Sequence, residues 1–200
     1  MMKCEHCETA AAYKCSVCGK MLCGEHAKLR TLCFSCVKDS SLNAKIDKLK
    51  TNAERNTIRE LVQQFWGEQE QVTFDQKLTI AELPAFVAKV RDKVIGFAAF
   101  TETDDSIIIA ALGILPKYQG SGLGRKLVTK VETVAKKMRK GKLLVSTSND
   151  DLPALALYQT IGFQIVEVKP NVIAEKHGQV LKGIGGLPIR DELRLQKLLS

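Results

Sequence analysis

All seven cysteines of the chain lie between Cys4 and Cys36, and none follows in a sequence of 200 residues. They are spaced as Cys4-x2-Cys7, Cys15-x2-Cys18, Cys23-x2-His26 and Cys33-x2-Cys36. Two intervening residues let a tight turn aim both flanking side chains at one ion. Four such pairs give eight ligands, enough for two closed tetrahedral zinc sites, and closed sites are structural rather than catalytic. Disulfides fit poorly. The cysteine count is odd, and Met1-Met2-Lys3-Cys4 leads into no apolar run, so a cytosolic, reducing setting is expected. His6 lies inside the first pair, out of frame, and reads as a bystander, whereas His26 is in frame. So short a segment buries too little surface to fold alone, so zinc would supply its folding free energy.

This spacing resembles the B-box family of cross-brace zinc modules over residues 4–36. The resemblance implies interleaved sites, with Cys4, Cys7, Cys23 and His26 on one zinc and Cys15, Cys18, Cys33 and Cys36 on the other. Pairing in sequence order is the alternative. It also implies a head that binds a protein partner or pairs two chains into a homodimer.

The rest of the chain is long enough for one ordinary domain. Its division is expected at 1–38 for the zinc module, 39–56 for a helical linker and 57–200 for the main domain. Overall values of 45% apolar and 26% charged residues are globular. The longest apolar stretch, Ile107 to Leu115, has nine residues, too few to cross a bilayer. A net charge of +8 favours anionic partners, among which nucleic acid, an acidic protein and a polyphosphate all qualify. Nucleic acid is not favoured, because the head has neither interleaved aromatics nor a groove-reading helix.

Leu42, Ile46, Leu49 and Ala53 recur at helical spacing and predict a linker helix. A second helix has a capping box at Thr57-x-x-Glu60, an apolar stripe of Ile58, Leu61, Val62, Phe65 and Trp66, and a stop at Gly67. Strands follow: Ala85 to Val90 and Val94 to Thr101 flank a hairpin turn at Arg91-Asp92-Lys93. The β-branched run Ile107 to Leu115 reads as a strand buried on both faces, ended by Pro116. Gln119-Gly120-Ser121-Gly122-Leu123-Gly124-Arg125 then opens a helix with Leu123, Leu127, Val131, Val134 and Met138 on one face. Its glycines leave N–H groups free at the positive helix end, an anion site suited to pyrophosphate. A dinucleotide fold would want this turn early in a βαβ repeat and an acidic residue about twenty positions on. Neither condition holds.

From Ile58 to Leu195 the sequence resembles the GNAT family of N-acetyltransferases. Gln119-x-x-Gly122-x-Gly124 matches that family's Arg/Gln-x-x-Gly-x-Gly/Ala signature. After a strand at Leu143 to Thr147, Asn149, Ala154, Tyr158, Gly162 and Phe163 match its second block. The resemblance implies an α/β (α+β) fold with a mixed, mostly antiparallel central sheet flanked by helices, and acetyl-CoA as acyl donor. Backbone groups of Leu112, Gly113 and Ile114 would pair with the pantetheine amides, the strand bulging at Gly113. N–H groups along Gly120, Ser121, Gly122, Leu123, Gly124 and Arg125, behind Gln119, would hold the pyrophosphate. Asn149 would bond the cofactor arm, and Tyr158 would protonate the leaving thiolate. The family's usual first strand is not evident ahead of Ile58.

An attacking amine with a pKa of about 10.4 is neutral in roughly one molecule in a few thousand at pH 7, so a base is expected. Glu102, near the end of the third strand, is the candidate. The tail from Gly183 to Leu195 ends in a plausible strand on which Asp191 and Glu192 would face a cationic substrate. The expected activity is N-acetylation of a primary amine, of a protein recruited through the zinc head. A small-amine acceptor and a non-catalytic acyl-CoA sensor are the alternatives.

Overall fold

A computed structural model describes residues 3–11, 13–14, 20–23, 44–183 and 186–199. In the cysteine-rich head, β1 (Tyr13–Lys14) pairs antiparallel with β2 (Met21–Leu22). The linker helix expected around Ile46 is not formed. Instead β3 (Lys45–Lys48) runs antiparallel to β6 (Ala85–Val90) at the edge of the main sheet. Ile46 packs into the core on one face of that sheet and Leu49 into the core on the other. In a strand an odd separation divides two side chains between opposite faces, so spacing that imitates a helix here serves both layers. This strand is also the first strand whose absence the sequence suggested.

Helix α1 (Asn52–Trp66) starts earlier than expected. Its capping box is Thr51-x-x-Glu54: Thr51 Oγ1 accepts from the Glu54 N–H at 3.1 Å, and Glu54 Oε2 accepts from the Thr51 N–H at 3.1 Å. Thr57, expected to be the cap, lies inside the helix and donates to the Ala53 carbonyl. Gly67 ends the helix at φ 74°, a left-handed value that favours glycine. Next comes the hairpin β4 (Glu70–Thr73) and β5 (Gln76–Thr79), which pairs only with itself.

The sheet then builds through β6, β7 (Lys93–Glu102) and β8 (Ser106–Ile114) as antiparallel neighbours. Arg91 and Asp92 turn the β6–β7 hairpin with φ 47° and 64°, as a two-residue turn requires. Helix α2 (Leu123–Lys137) crosses to β9 (Lys142–Ser148), which lies parallel to β8. After α3 (Leu152–Thr160), β10 (Gln164–Lys169), α4 (Val172–His177) and the short pair β11 (Leu181–Lys182) and β12 (Pro188–Ile189), β13 (Glu192–Leu198) enters between β10 and β9. The sheet order is β10-β13-β9-β8-β7-β6-β3. Among the described residues, no helix is long and apolar enough to cross a membrane.

Two apolar layers clamp this sheet. Leu123, Leu127 and Val131 of α2 pack on Ile107, Ile109, Leu143, Val145 and Leu195. On the other face Ile58, Leu61 and Val62 of α1 pack on Val87, Phe97, Ala99 and Ala111. Each fully buried large aliphatic contributes roughly 1.5–3 kcal/mol. The strand β8 is therefore covered on both faces, which explains its continuous apolar sequence.

Glu54 ties α1 to the sheet as well as capping it. Its carboxyl is held down at about 2, first by the hydrogen bond from the Lys89 ammonium (2.6 Å), then by the Lys50 N–H. The folded value lies below the ordinary 4.5, so this stabilisation is complete above the ordinary value and is lost as pH falls through the folded one. Between about pH 5 and 2.5 the wild type should lose roughly 1–2 kcal/mol more unfolding free energy than Glu54→Gln in urea titrations. Equal losses would contradict the assignment.

Candidate active site

The parallel ladder between β8 and β9 is short. It runs from Ser106↔Lys142 to Ile109↔Val145 and then stops. Beyond it β8 stays paired to β7 as far as Ile114↔Gly96, and β9 to β13 as far as Ser148↔Glu192. The two central strands thus part into a wedge, each held open by its outer neighbour. The register between β7 and β8 shifts where Ala99 and Phe100 face Ala111 and Ile109, which leaves Ala110 as the extra residue of a bulge at the mouth of the wedge.

The bulge was expected at Gly113, which instead pairs regularly with Phe97. Its glycine has a packing cause: a Cβ there would lie 2.6 Å from Phe65 Cε2 and 3.0 Å from Phe97 Cε1. The Leu115 N–H donates to the Ile95 carbonyl at 2.9 Å. Alternation in an antiparallel ladder then turns the main-chain groups of Gly113 toward β7 and those of Leu112 and Ile114 into the wedge. Of the three residues expected to offer backbone groups to the cofactor, Leu112 and Ile114 turn theirs into the wedge and Gly113 turns its own toward β7. The Ile114 carbonyl accepts from Gln119 Nε2 at 2.9 Å, so Gln119 closes the strand end rather than facing outward.

The glycine turn sits at the wide end of the wedge. Gly120 and Gly122 have φ 79° and 83°, with open space where a Cβ would stand. Gly122 is the N-cap of α2 and no side chain caps the helix, so the first N–H groups, those of Leu123, Gly124 and Arg125, stay free of intrahelical partners. Ser121 is turned inward and donates to the Tyr118 carbonyl at 2.6 Å. Gly124 lets α3 approach, since a Cβ would lie 2.9 Å from Leu157 Cδ2. The unpaired strand edge and the positive helix end together suit a long ligand with an amide-bearing arm and an anionic middle.

Tyr158 of α3 is 4% exposed and packs on Phe163, with ring centroids 5.6 Å apart. Burial, with the nearby Asp151 carboxylate adding to it, pushes its phenol well above the usual tyrosine range, so the hydroxyl keeps its proton. Asn149 is committed to the segment before β13. Its Oδ1 accepts from the Arg190 and Asp191 N–H groups at 3.0 and 2.9 Å, and its Nδ2 donates to the Pro188 carbonyl at 2.7 Å. One amide hydrogen remains without a partner among the described residues.

Glu102 must be withdrawn as the base. It pairs with Ile107 at the closed end of the β8–β9 ladder and points to solvent beside Lys140, 3.6 Å away. Gly113 is six residues further along β8, about 20 Å at strand rise. Sequence placed Glu102 near the strand, but topology puts the chemistry at the other end.

Carboxylates do gather on the α1 face of the wedge. Arg194 of β13 donates to Glu192 at 3.0 Å, to Glu167 at 3.1 Å, and to both Asp75 oxygens at 3.0 and 2.8 Å. Asp75 belongs to the β4–β5 tip, where Phe74 also lies under the Arg194 guanidinium. Thr73 and Ser146 hydroxyls meet at 2.8 Å. Asp191 does not join this group; its carboxylate is held low by the Asn171 N–H and Arg190. The alternation Glu192-Leu-Arg194-Leu was a sequence sign that both charged residues share a face. Nothing local announced Asp75 or Glu167.

Away from the wedge, the Sγ atoms of Cys4, Cys7 and Cys23 all lie within 4.8 Å of one another, with Cys7 and Cys23 at 3.7 Å. Burial opposes ionisation of Cys4, but N–H groups of Cys23 and His6 outweigh it and bring the thiol down to about 6. Cys15, Cys18, His26, Cys33 and Cys36 lie outside the described residues.

Comparison with known proteins supplies the context for this geometry. The protein YdhI of Bacillus subtilis, itself uncharacterised, is 26% identical over 152 residues, covering 73% of this chain and 93% of its own. An IAA acetyltransferase from Bacillus cereus has a TM-score of 0.65 at 26% identity, over 78% of this chain and 100% of that one. A GNAT family acetyltransferase from Elizabethkingia anophelis, solved with acetyl-CoA bound, shares the fold at a TM-score of 0.59 and 21% identity, over 79% and 99% of the two chains. The profile of the acetyltransferase (GNAT) family matches residues 54–163, from the capping box of α1 through the glycine turn to Phe163, and with more than half its length inside that span the chain belongs to the GNAT family of acetyltransferases.

Proposed function

We propose that the chain transfers an acetyl group from acetyl-CoA to a primary amine, with an amine of a protein as acceptor. The observation that carries this reading is the wedge between β8 and β9 opening onto an uncapped, glycine-headed helix. The pantetheine arm lies along β8 as an added strand on the Leu112 and Ile114 main chain, and the pyrophosphate rests on N–H groups from Gly120 to Arg125. This places the thioester near the Ala110 bulge, where a main-chain N–H of the splayed strand stabilises the oxyanion. The amine attacks the thioester carbon, the C–S bond breaks, the sulfur takes a proton from Tyr158, and the proton lost by the attacking nitrogen restores the phenol.

Free-thiol release with a panel of peptide and small amines tests the activity directly. Tyr158→Phe keeps the ring that packs on Phe163 and removes only the hydroxyl. Turnover should fall by about 10²-fold, with acetyl-CoA affinity nearly unchanged. Wild-type turnover would assign Tyr158 to packing alone. Binding of acetyl-CoA without thiol release for any amine would favour a sensor.

The head, in this reading, holds two structural zinc ions and recruits the protein acceptor. A tetrahedral zinc with Zn–S of about 2.3 Å sets neighbouring sulfurs about 3.8 Å apart, and Cys7 and Cys23 stand at 3.7 Å. Cys23 beside Cys4 and Cys7 favours interleaved pairing, with His26 as the fourth ligand, because pairing in sequence order would give Cys23 to the other ion. Metal analysis should find two zinc ions per chain, and Cys23→Ser should lose at least one while acetyl-CoA binding persists. One zinc or none in the wild type, with oxidised thiols, would contradict it.

A further inference from the structure

Among the described residues the charged layer on the α1 face is almost fully paired, and a gap in it is informative. Arg194, its side chain 6% exposed, is saturated by Asp75, Glu167 and Glu192. Lys169 pairs with Glu167, Arg190 with Asp191 and Lys176 with Glu68. Every cation named here therefore already has its anion. Glu192 does not have its full set of donors: its side chain is 9% exposed and its Oε1 is buried without a hydrogen-bond partner. An ionised oxygen kept from both water and protein donors is costly, so its position calls for a donor.

Position says which one. Glu192 faces Ser148 across the β9–β13 ladder, on the last residue of the stretch where β9 has parted from β8. Cross-strand partners share a face, so the Glu192 carboxylate lies on the α1 side, one strand from the wedge. Ser148 cannot serve as the donor, because its hydroxyl is committed to Asp150 at 2.5 Å. Above lies the β4–β5 tip, which belongs to no other sheet and is tied down by the Thr73–Ser146 hydroxyl contact and by Asp75 on Arg194. Because the hairpin pairs with no strand of the main sheet, its movement would unpair none of them.

We propose that Glu192 Oε1 seats the ammonium of the acceptor beneath the β4–β5 hairpin, and that the acceptor is an alkylamine with no carboxylate beside it, such as a lysine side chain within a peptide. This rests on the acetyl-transfer reading of the same wedge. One ammonium proton passes to Glu192 Oε1, and the freed lone pair forms the nitrogen–carbon bond. The thioester C–S pair leaves with sulfur, which takes the Tyr158 proton, and the second proton lost by the nitrogen as the amide forms restores the Tyr158 phenol. The saturation of Arg194 disfavours a free amino acid, whose carboxylate would meet Asp75, Glu167 and Glu192 without a cation to receive it.

The test follows thiol release by the full-length protein with acetyl-CoA and three acceptors: Nα-acetyl-lysine amide, free glycine, and hydroxylamine, which is largely uncharged at neutral pH. Wild type should prefer the blocked lysine to glycine. Glu192→Gln should lose roughly 30-fold more kcat/KM on the blocked lysine than on hydroxylamine, with both a lower kcat and a higher KM on the lysine. Equal losses on both, as a purely structural Glu192 would give, or a preference for glycine, overturn the proposal. If the glutamine variant does not fold, Glu192→Asp keeps the charge and withdraws the oxygen, and should show the same selectivity at about tenfold; no selectivity overturns it. Wild-type protein that binds acetyl-CoA yet releases thiol with none of these acceptors overturns the acetyl-transfer reading and this inference with it, a result distinct from an active wild type with an indifferent Glu192.

Discussion

The parting of β8 from β9 is the constraint on which the rest of the site depends. A parallel pair buried on both faces would ordinarily continue to the ends of its strands, because unmade main-chain hydrogen bonds are costly. Here each strand is instead bound on its outer side, β8 by β7 and β9 by β13, and the bulge at Ala110 bends β8 away just where the ladder ends. The main-chain groups of Leu112 and the N–H of Ile114 are turned into the gap by the architecture itself, while the Ile114 carbonyl is taken by Gln119. A ligand that offers amides in an extended arm satisfies them at no cost in protein rearrangement.

The layers around the wedge follow from that arrangement. On one face the apolar stripe of α2 brings an uncapped helix start to the end of β8, and Gly124 lets α3 close in with Tyr158. On the other, α1 supplies Phe65, whose ring occupies the space a side chain at residue 113 would take. The same face carries Arg194 and its three carboxylates under the β4–β5 tip. Donor and acceptor are thus expected from opposite faces of one sheet, meeting only through the gap.

Legibility in the sequence followed the range of the interactions. The strands β6, β7 and β8 were readable because burial demands apolar runs, β-branched in β8, and their turn and stop residues are adjacent in sequence. The glycine turn was readable because left-handed φ at Gly120 and Gly122 leaves a mark that few other residues can. What depends on distant partners was not. Ile46 and Leu49 look helical until β6 is beside them; the β4–β5 tip uses Phe74 and Asp75 at φ 48° and 62° with no glycine to mark the turn; and Glu102 seemed near the chemistry until the direction of β8 was known. Asn149 stood in the right motif, but most of its amide is bound to a segment some forty residues later.

Amide hydrogen exchange with and without CoA tests the central claim most directly. The Gly113 N–H, turned toward β7, should be protected in both states. The N–H groups of Leu112 and Ile114, together with those from Gly120 to Arg125, should exchange readily alone and become protected when CoA is bound. CoA binding that leaves Leu112 and Ile114 unprotected, or that protects only residues far from the wedge, would contradict the account.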